Sequence, residues 1–460
     1  MPTTRADRRS WAVAPWVPWA GLVVAALLVL VAFAVPPLFD WEVWPRSPRS
    51  FSDLEIPPLH GLWDPKLFGP GTLPAVVIAA LGWRYAADLA ARLSWRRLLL
   101  VSYVVGLAWM LALAFVDGPD GITRAIGSRY EYLPTARDVT DVSTLLHEYV
   151  DRIPYSAPDN WPTHVAGHPP GALLFFVGLV KVGLGGDFAA GMVVTVLAAT
   201  TAVAVLVALR ALGAEAAARR AAPFLVLTPA AVFMAVSADA VFTTVGAWGL
   251  ACLAIGATRS ARGPTVAWSV LAGLLLGYGV LMSYGLPLLG LLALAVLVLA
   301  RSWLPLPVAA GSAVVVVLAF AAGGFWWWAA YPVLNDRYWD GIAADRPASY
   351  WMWGNLAALL VCAGPLLGAG LAQAVACGRR RAELVRPTLV VLALVAAAAA
   401  AILVADLSRM SKAEVERIWL PFVPWLTLAV ALLTSRWRRW GLGLQLVWAL
   451  VVQQLLYTSW

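Results

Sequence analysis

The residues best suited to chemistry lie between Asp117 and Pro170, the longest polar interval in an otherwise apolar chain. The interval holds three of the four histidines (His147, His164, His168). It also holds eight acids, Asp117, Asp120, Glu131, Asp138, Asp141, Glu148, Asp151 and Asp159, against four arginines. Glu131 stands out because Tyr130 and Tyr132 flank it a short distance past the end of an apolar run. A carboxylate between aromatic rings near a membrane surface loses hydration. That raises its pKa and suits it to take a proton from a hydroxyl. The competing reading is an ordinary solvated loop acid. Long loops without regular structure are uncommon in compact folds and tend to carry function.

The elements that must position this loop are apolar. The chain is 62% hydrophobic and only 13% charged, against about 25% charged residues in soluble domains. Its mean hydropathy is +0.79. Apolar runs recur from end to end, and most are long enough to cross a hydrocarbon core of about 30 Å. The expected fold class is an all-α polytopic membrane protein. Candidate spans are 19–38, 72–91, 98–116, 188–209, 222–237, 239–257, 265–283, 285–300, 306–325, 351–375, 387–405, 420–434 and 441–458, thirteen in all. The net charge of +8 fits the positive-inside rule and needs no nucleic acid. Cys252, Cys362 and Cys377 fall in or beside apolar runs, so no disulfide framework is implied. Arg5, Arg8 and Arg9 ahead of Ala32-Phe33-Ala34 resemble a signal peptide, but an uncleaved first span agrees better with the many later ones.

Charge sets the orientation. The short connectors Arg92–Arg97, Arg210–Arg220, Arg259–Arg262, Arg379–Arg386 and Arg436–Arg439 are basic. The longer intervals 39–71, 117–170, 326–350 and 406–419 hold most of the acids. With the former inside, cytoplasmic segments carry 19 Lys/Arg and three acids (Asp7, Glu215, Glu383), and outer segments 13 Lys/Arg and 21 acids. This predicts a multi-pass cell-membrane protein with its N-terminus cytoplasmic and its C-terminus and polar loop outside. The scheme holds only if 171–184 does not cross. That run starts at Pro169-Pro170 and is interrupted by Lys181, so it is expected to lie at or dip into the outer leaflet.

Other residues have two readings each. Asp239 is either a helix N-cap or a membrane-depth charge facing a partner, and the two are compatible. Arg84 and Asp88, four apart, read as a structural ion pair. Most of the 25 tryptophans belong to an interfacial aromatic belt. The cluster Trp326-Trp327-Trp328, Tyr350, Trp351 and Trp353 is dense enough to hold a prenyl chain or a sugar ring beside Arg337 and Arg346.

The run Glu131-Tyr132-Leu133-Pro134-Thr135-Ala136-Arg137, followed by His168-Pro169-Pro170-Gly171-Ala172-Leu173-Leu174, resembles the first outer loop of the membrane glycosyltransferases of the C-type fold (GT-C). That superfamily includes protein O-mannosyltransferases and lipid A aminoarabinose transferases. Leu227-Thr228-Pro229 with Ser237-Ala238-Asp239-Ala240, Leu274-Leu275-Leu276-Gly277 with Ser283-Tyr284, and Glu416-Arg417-Ile418-Trp419-Leu420-Pro421 with Pro424 are similar to its later motifs, in order. The resemblance covers about residues 98–430 and implies a catalytic module at 98–460. Its outer catalytic loop would be 117–170 and its juxtamembrane helix 171–184, with 1–97 an added N-terminal pair of spans and their outer loop.

The resemblance implies inverting transfer of a sugar from a polyprenyl-phosphate donor to a glycan, lipid or protein acceptor on the outer face. Glu131 would be the base, with Asp239 or Asp138 sharing or replacing that role. Arg346, Lys412, Arg417 and His168 would meet the donor phosphate, and Tyr130, Tyr132 and Tyr350 the substrate. Two departures stand out. Family members carry the catalytic loop after their first helix, whereas here it follows the third, and their acid is often a doublet. No spacing typical of a metal site and no nucleotide-binding loop is visible, so neither metal nor cofactor is expected, nor a nucleic-acid partner. A transporter or flippase of a lipid-linked saccharide is the main alternative. It predicts charges in mid-span and inverted repeats, and neither is evident.

Overall fold

The computed structural model describes residues 14–45, 59, 62–380 and 384–457. Arg5, Asp7, Arg8, Arg9, residues 46–58 of the first outer loop and Glu383 lie outside the described residues.

Three apolar helices come first: α1 (Val17–Leu38), α2 (Thr72–Arg92) and α3 (Trp95–Ala114). Pro18 opens α1, where its fixed φ suits a first turn. The polar interval then folds into short pieces rather than open loop: α4 (Asp120–Thr123), α5 (Tyr132–Asp138), α6 (Val142–Glu148) and α7 (Thr163–Ala166), followed by α8 (Pro170–Lys181). Asp141 caps α6 by accepting from the Ser143 and Thr144 amides. Next come α9 (Asp187–Ala198) and α10 (Thr200–Ala211), which run on as one span, and α11 (Glu215–Val226), α12 (Ala231–Met234) and α13 (Ala238–Ala257). The second half holds α14 (Arg262–Val280), α15 (Leu289–Ala300), α16 (Pro305–Ala322), α17 (Trp327–Trp339), α18 (Ala348–Ala363), α19 (Leu366–Gly378) and α20 (Arg386–Leu407). It closes with α21 (Val415–Ile418), α22 (Val423–Thr427) and α23 (Ser435–Leu455). The described strands are two residues each: β1 (Leu62–Trp63) pairs antiparallel with β2 (Leu456–Tyr457).

The chain is an all-α, multi-pass membrane protein. Among the described residues eight helices are long and apolar enough to cross a membrane. The pair α18–α19, bent by 107°, makes a ninth if it counts as one span. Thirteen long helices are therefore not what the thirteen expected spans become, and the reasons are local. The run 222–237 breaks at Leu227-Thr228-Pro229 into α11 and α12, with the Thr228 carbonyl held by Trp109 Nε1 at 3.1 Å. The run 420–434 becomes α22 and a 3₁₀ turn over Leu428–Leu432, all of it buried. The span expected at 441–458 is the body of α23, which starts at Ser435 and takes Arg436, Arg438 and Arg439 into its first turns.

The bend between α18 and α19 falls at Gly364, whose φ is +83°. Gln445 of α23 seals it. Its amide donates to the Ala363 carbonyl at 2.7 Å, and its oxygen accepts from the Leu366 N–H at 3.2 Å. Backbone groups freed by a broken helix need such partners where water is absent. The N-terminal helices are built into the body: α1 packs on α18 and α19, and α2 on α3, α11 and α23.

Contacts gather the basic connectors at one end. Arg219 donates to the Ala90 and Leu93 carbonyls, Arg386 to those of Leu212 and Leu299, and Arg210 lies over the Trp95 ring. Contacts gather the acid-rich segments at the other end. Lys66 and Arg124 pair with Asp117, and Arg337 donates to the Ile153 and Trp161 carbonyls. Arg346 donates to the Trp44 and Lys412 carbonyls. The expected Arg84–Asp88 pair is not formed, because Arg84 lies over the Tyr85 ring, 4.9 Å from its centroid.

Candidate functional site

Four short stretches at the acid-rich end meet around Arg417. Glu131 follows a turn and begins α5 as its N-cap, but its side chain caps nothing. It turns inward instead: Arg417 Nη2 lies 2.9 Å from Glu131 Oε1 and 2.8 Å from Asp239 Oδ2, and Arg417 Nε donates to that same Oδ2 at 2.9 Å. Each of the three residues is less than a tenth exposed. One guanidinium thus joins two carboxylates in a buried site through charge-assisted bonds. Asp239, in the first turn of α13, spends its carboxylate on Arg417, so the partner reading of that residue is the one the structure realises.

The backbone that presents these groups is strained. Val236 has φ +76°, rare for a β-branched residue, three positions before Asp239. Ala413 and Glu414 have φ +65° and +60° immediately before α21, which carries Arg417. Such conformations cost on the order of 1–3 kcal/mol each and persist where surrounding contacts impose them. Here those contacts include Asn355, whose amide donates to Asp406 Oδ1 and the Ser411 carbonyl and whose oxygen accepts from the Ala413 N–H.

Glu131 has two unlike oxygens. Oε1 takes Arg417, with His164 Nε2 3.8 Å away, beyond hydrogen-bond range. Oε2 is buried and has no hydrogen-bond partner among the described residues. Burial holds the Glu131 carboxyl above the usual carboxylate range, against the pull of Arg417. Burial alone would lower Arg417, but Glu131 and Asp239 hold it firmly charged.

The His-Pro-Pro run supplies the wall. His168 Nδ1 lies 2.7 Å from the Tyr132 hydroxyl and 2.9 Å from the His164 carbonyl, and burial pushes its imidazole below its ordinary pKa. Pro170 opens α8 at its first turn, and Gly171 brings the backbone against α14, with its N–H 2.8 Å from the Leu281 carbonyl. A Cβ at Gly171 would fall on that carbonyl. Tyr278, within the Leu274–Ser283 stretch, donates to the Gly171 carbonyl at 2.8 Å. At about 18 Å, α8 is too short to cross a hydrocarbon core. Gly183, at φ +81°, ends it. Tyr132 stacks on Phe176 of α8, with centroids 5.6 Å apart.

The remaining candidates go elsewhere. Arg346 and Lys412 hold each other, Arg346 Nη1 donating to the Lys412 carbonyl and Lys412 Nζ to that of Arg346 at 2.7 Å. Arg346 Nη2 has no hydrogen-bond partner among the described residues, its nearest acid being Glu414 at 3.6 Å. Tyr350 is fully buried, its hydroxyl on the Ala32 carbonyl of α1, so the structure gives it a packing role. Tyr130 lies under Arg129, and Asp138 is exposed at the end of α5. Trp351 is buried with Nε1 on the Val43 carbonyl, whereas Trp326 and Trp328 are exposed, so the aromatic cluster is divided. Among the described residues no group of three or more His, Cys, Asp and Glu is placed to hold a metal ion. Sequence reasoning passed over His164, whose only signal was its four-residue spacing from His168.

No protein-family profile matches the chain, and neither a curated protein nor a solved structure does.

Proposed function

We propose that the chain is an integral-membrane glycosyltransferase of the C-type fold that moves a sugar from a polyprenyl-phosphate donor to a hydroxyl acceptor, with inversion, at the acid-rich end of the bundle. That end faces away from the cytoplasm, and thirteen crossings, including the short buried segments, carry the chain between the two sides. The observation that supports the reaction best is the asymmetry of Glu131: Oε1 is anchored by Arg417 while Oε2 is buried and unspent. A general base needs a positioned lone pair and a pKa drawn toward neutrality, and burial provides the second.

In this reading Glu131 Oε2 takes the proton of the acceptor hydroxyl. The acceptor oxygen attacks the anomeric carbon from the face opposite the phosphate. The carbon–oxygen bond to the lipid phosphate breaks, and its electron pair leaves on the phosphate. Arg417 and Asp239 fix the base. The cation nearest the leaving phosphate is then Arg417, with His168 as a neutral donor; Lys412 Nζ is held on the Arg346 carbonyl and Arg346 Nη2 lies beside Glu414. Helix α8 lies along the outer leaflet as the floor of the site.

The test is sugar transfer from radiolabelled polyprenyl-phosphate sugars in membranes holding wild type or Glu131→Gln. A fall of about 10²- to 10⁴-fold is expected. Full activity in the variant removes Glu131 as base. No donor turnover by wild type across a panel of donors would favour a transporter of the same lipid-linked saccharides. Against that alternative stands the bend at Gly364, which is plugged by Gln445 and carries no charge.

A further inference from the structure

At the end of the bundle remote from Glu131, α2, α11 and α23 surround an open cavity of 480 Å³. Residues 84–92 of α2 and the start of α3 lie at this end, and α3 is about 30 Å long, so the cavity and the carboxylate site sit on opposite sides of a membrane-sized slab. Arg84, Arg219, Arg220, Arg438 and Arg439 line it, with Asp88 as the lining acid.

Three features separate this cavity from a row of interfacial anchors. First, its arginines come from three helices distant in the chain, so the charge is concentrated by the fold. Second, they crowd one another. Burial and the charge of Arg220 together push the Arg438 guanidinium, in the polar first turns of α23, down to about 10. Arg219 is already committed to Glu215 and to two backbone carbonyls, and Arg438 to the Leu433 carbonyl, so these two form the fixed wall of the site and Arg84 and Arg439 face it. Third, the cavity has an apolar side. Trp83, Phe224 and Leu442 line it beside the cations, and Trp83 packs on Trp440 with centroids 5.8 Å apart. Like charges gathered in a cleft are stabilised by an anion, and an apolar wall beside them suits a chain attached to that anion. The first turn of α23 adds amide N–H groups and the positive end of a 21-residue helix.

We propose that this cavity binds a phosphate ester, carried on a lipid as the headgroup of an anionic phospholipid. The arginines grip the phosphate, and Trp83 with its apolar neighbours takes the start of the acyl chains. The site is independent of sugar transfer and lies at the other end of the protein.

The experiment uses the full chain, purified in detergent and depleted of lipid, and follows its thermal unfolding. Short-chain phosphatidylglycerol is titrated against short-chain phosphatidylcholine, glycerol phosphate and inorganic phosphate. Phosphatidylglycerol should raise Tm by about 3 °C or more at saturation, and phosphatidylcholine should not. Arg84→Gln/Arg439→Gln should lose that rise. Arg96→Gln/Arg97→Gln, which removes two exposed arginines of a nearby connector that do not line the cavity, should keep it. Equal protection by glycerol phosphate or inorganic phosphate would keep the phosphate site but assign it to a soluble anion. Equal protection by phosphatidylcholine, or equal loss in both double variants, overturns the proposal.

Discussion

The two ends of this bundle treat charge in opposite ways. At the acid-rich end Arg417 faces Glu131 and Asp239, all three buried and held within hydrogen-bond distance. At the basic end five arginines share one open cavity with a single lining acid. The difference follows from desolvation. A charge removed from water must be matched within the protein, because an isolated buried ion costs several kcal/mol or more. Charges in an open cleft keep part of their hydration, Arg438 being the partly desolvated one, so the fold can gather one sign there at less cost than in a closed core.

The largest expected effect comes from unbalancing the buried end. Arg417→Leu should destabilise the protein by about 3–5 kcal/mol, because two carboxylates are left buried without their cation. The measurement is thermal or denaturant unfolding in detergent. Combining it with Glu131→Gln and Asp239→Asn should restore much of that loss. A triple variant no more stable than Arg417→Leu alone would show that packing, not charge, holds the three together.

The next effect is in pH, and its two parts have opposite signs. Glu131 has its pKa raised in the folded state. Its stabilising contribution is therefore complete below the ordinary glutamate pKa and is lost as pH rises through the raised value. Its base form appears over that same window. Stability should thus fall, and transfer activity rise, across one interval above the ordinary glutamate pKa. Both trends should be absent in Glu131→Gln, compared by unfolding and by initial rates at matched pH.

A smaller change is expected where backbone meets backbone beside the site. Gly171→Ala places a Cβ on the Leu281 carbonyl and should cost roughly 1–3 kcal/mol as α8 is pushed off α14. The smallest effect belongs to the basic end. Arg84→Gln should change lipid-free stability by less than about 0.5 kcal/mol, or raise it by relieving repulsion. A loss comparable to that of Arg417→Leu would erase the contrast between the ends.

Much of this arrangement can be read without a structure. Apolar runs identify a multi-pass helical protein because backbone in lipid must satisfy its own hydrogen bonds. Pro169-Pro170 and Gly183 mark the start and stop of a helix too short to cross, because a ring without an N–H and a residue tolerant of positive φ act locally. Hydropathy was a poorer guide to the breaks at Pro229 and Gly364. It measures how apolar a segment is and cannot tell cover by lipid from cover by protein. Leu428–Leu432 is apolar and wholly buried against neighbouring helices, so nothing requires it to be a long helix.

The residue types of the charged site were legible too, since a glutamate between tyrosines and an aspartate at a tight turn are conspicuous in so apolar a chain. Of their company, the meeting of Glu131 and Asp239 with Arg417 was expected and is what forms; the rest was not legible. Tyr350 looked available for a substrate and instead holds α1. Arg346 and Lys412 turned toward each other's carbonyls, and His164 came close to Glu131 from a turn of its own. The polar interval from Asp117 to Pro170 was set by sequence alone, because composition decides what a bilayer will accept. Which oxygen of Glu131 is bound and which is left without a partner was decided by two strained turns, at Val236 and at Ala413–Glu414, brought to it from far apart in the chain. Electrostatic pairing depends on distance in space, and local sequence does not encode that distance.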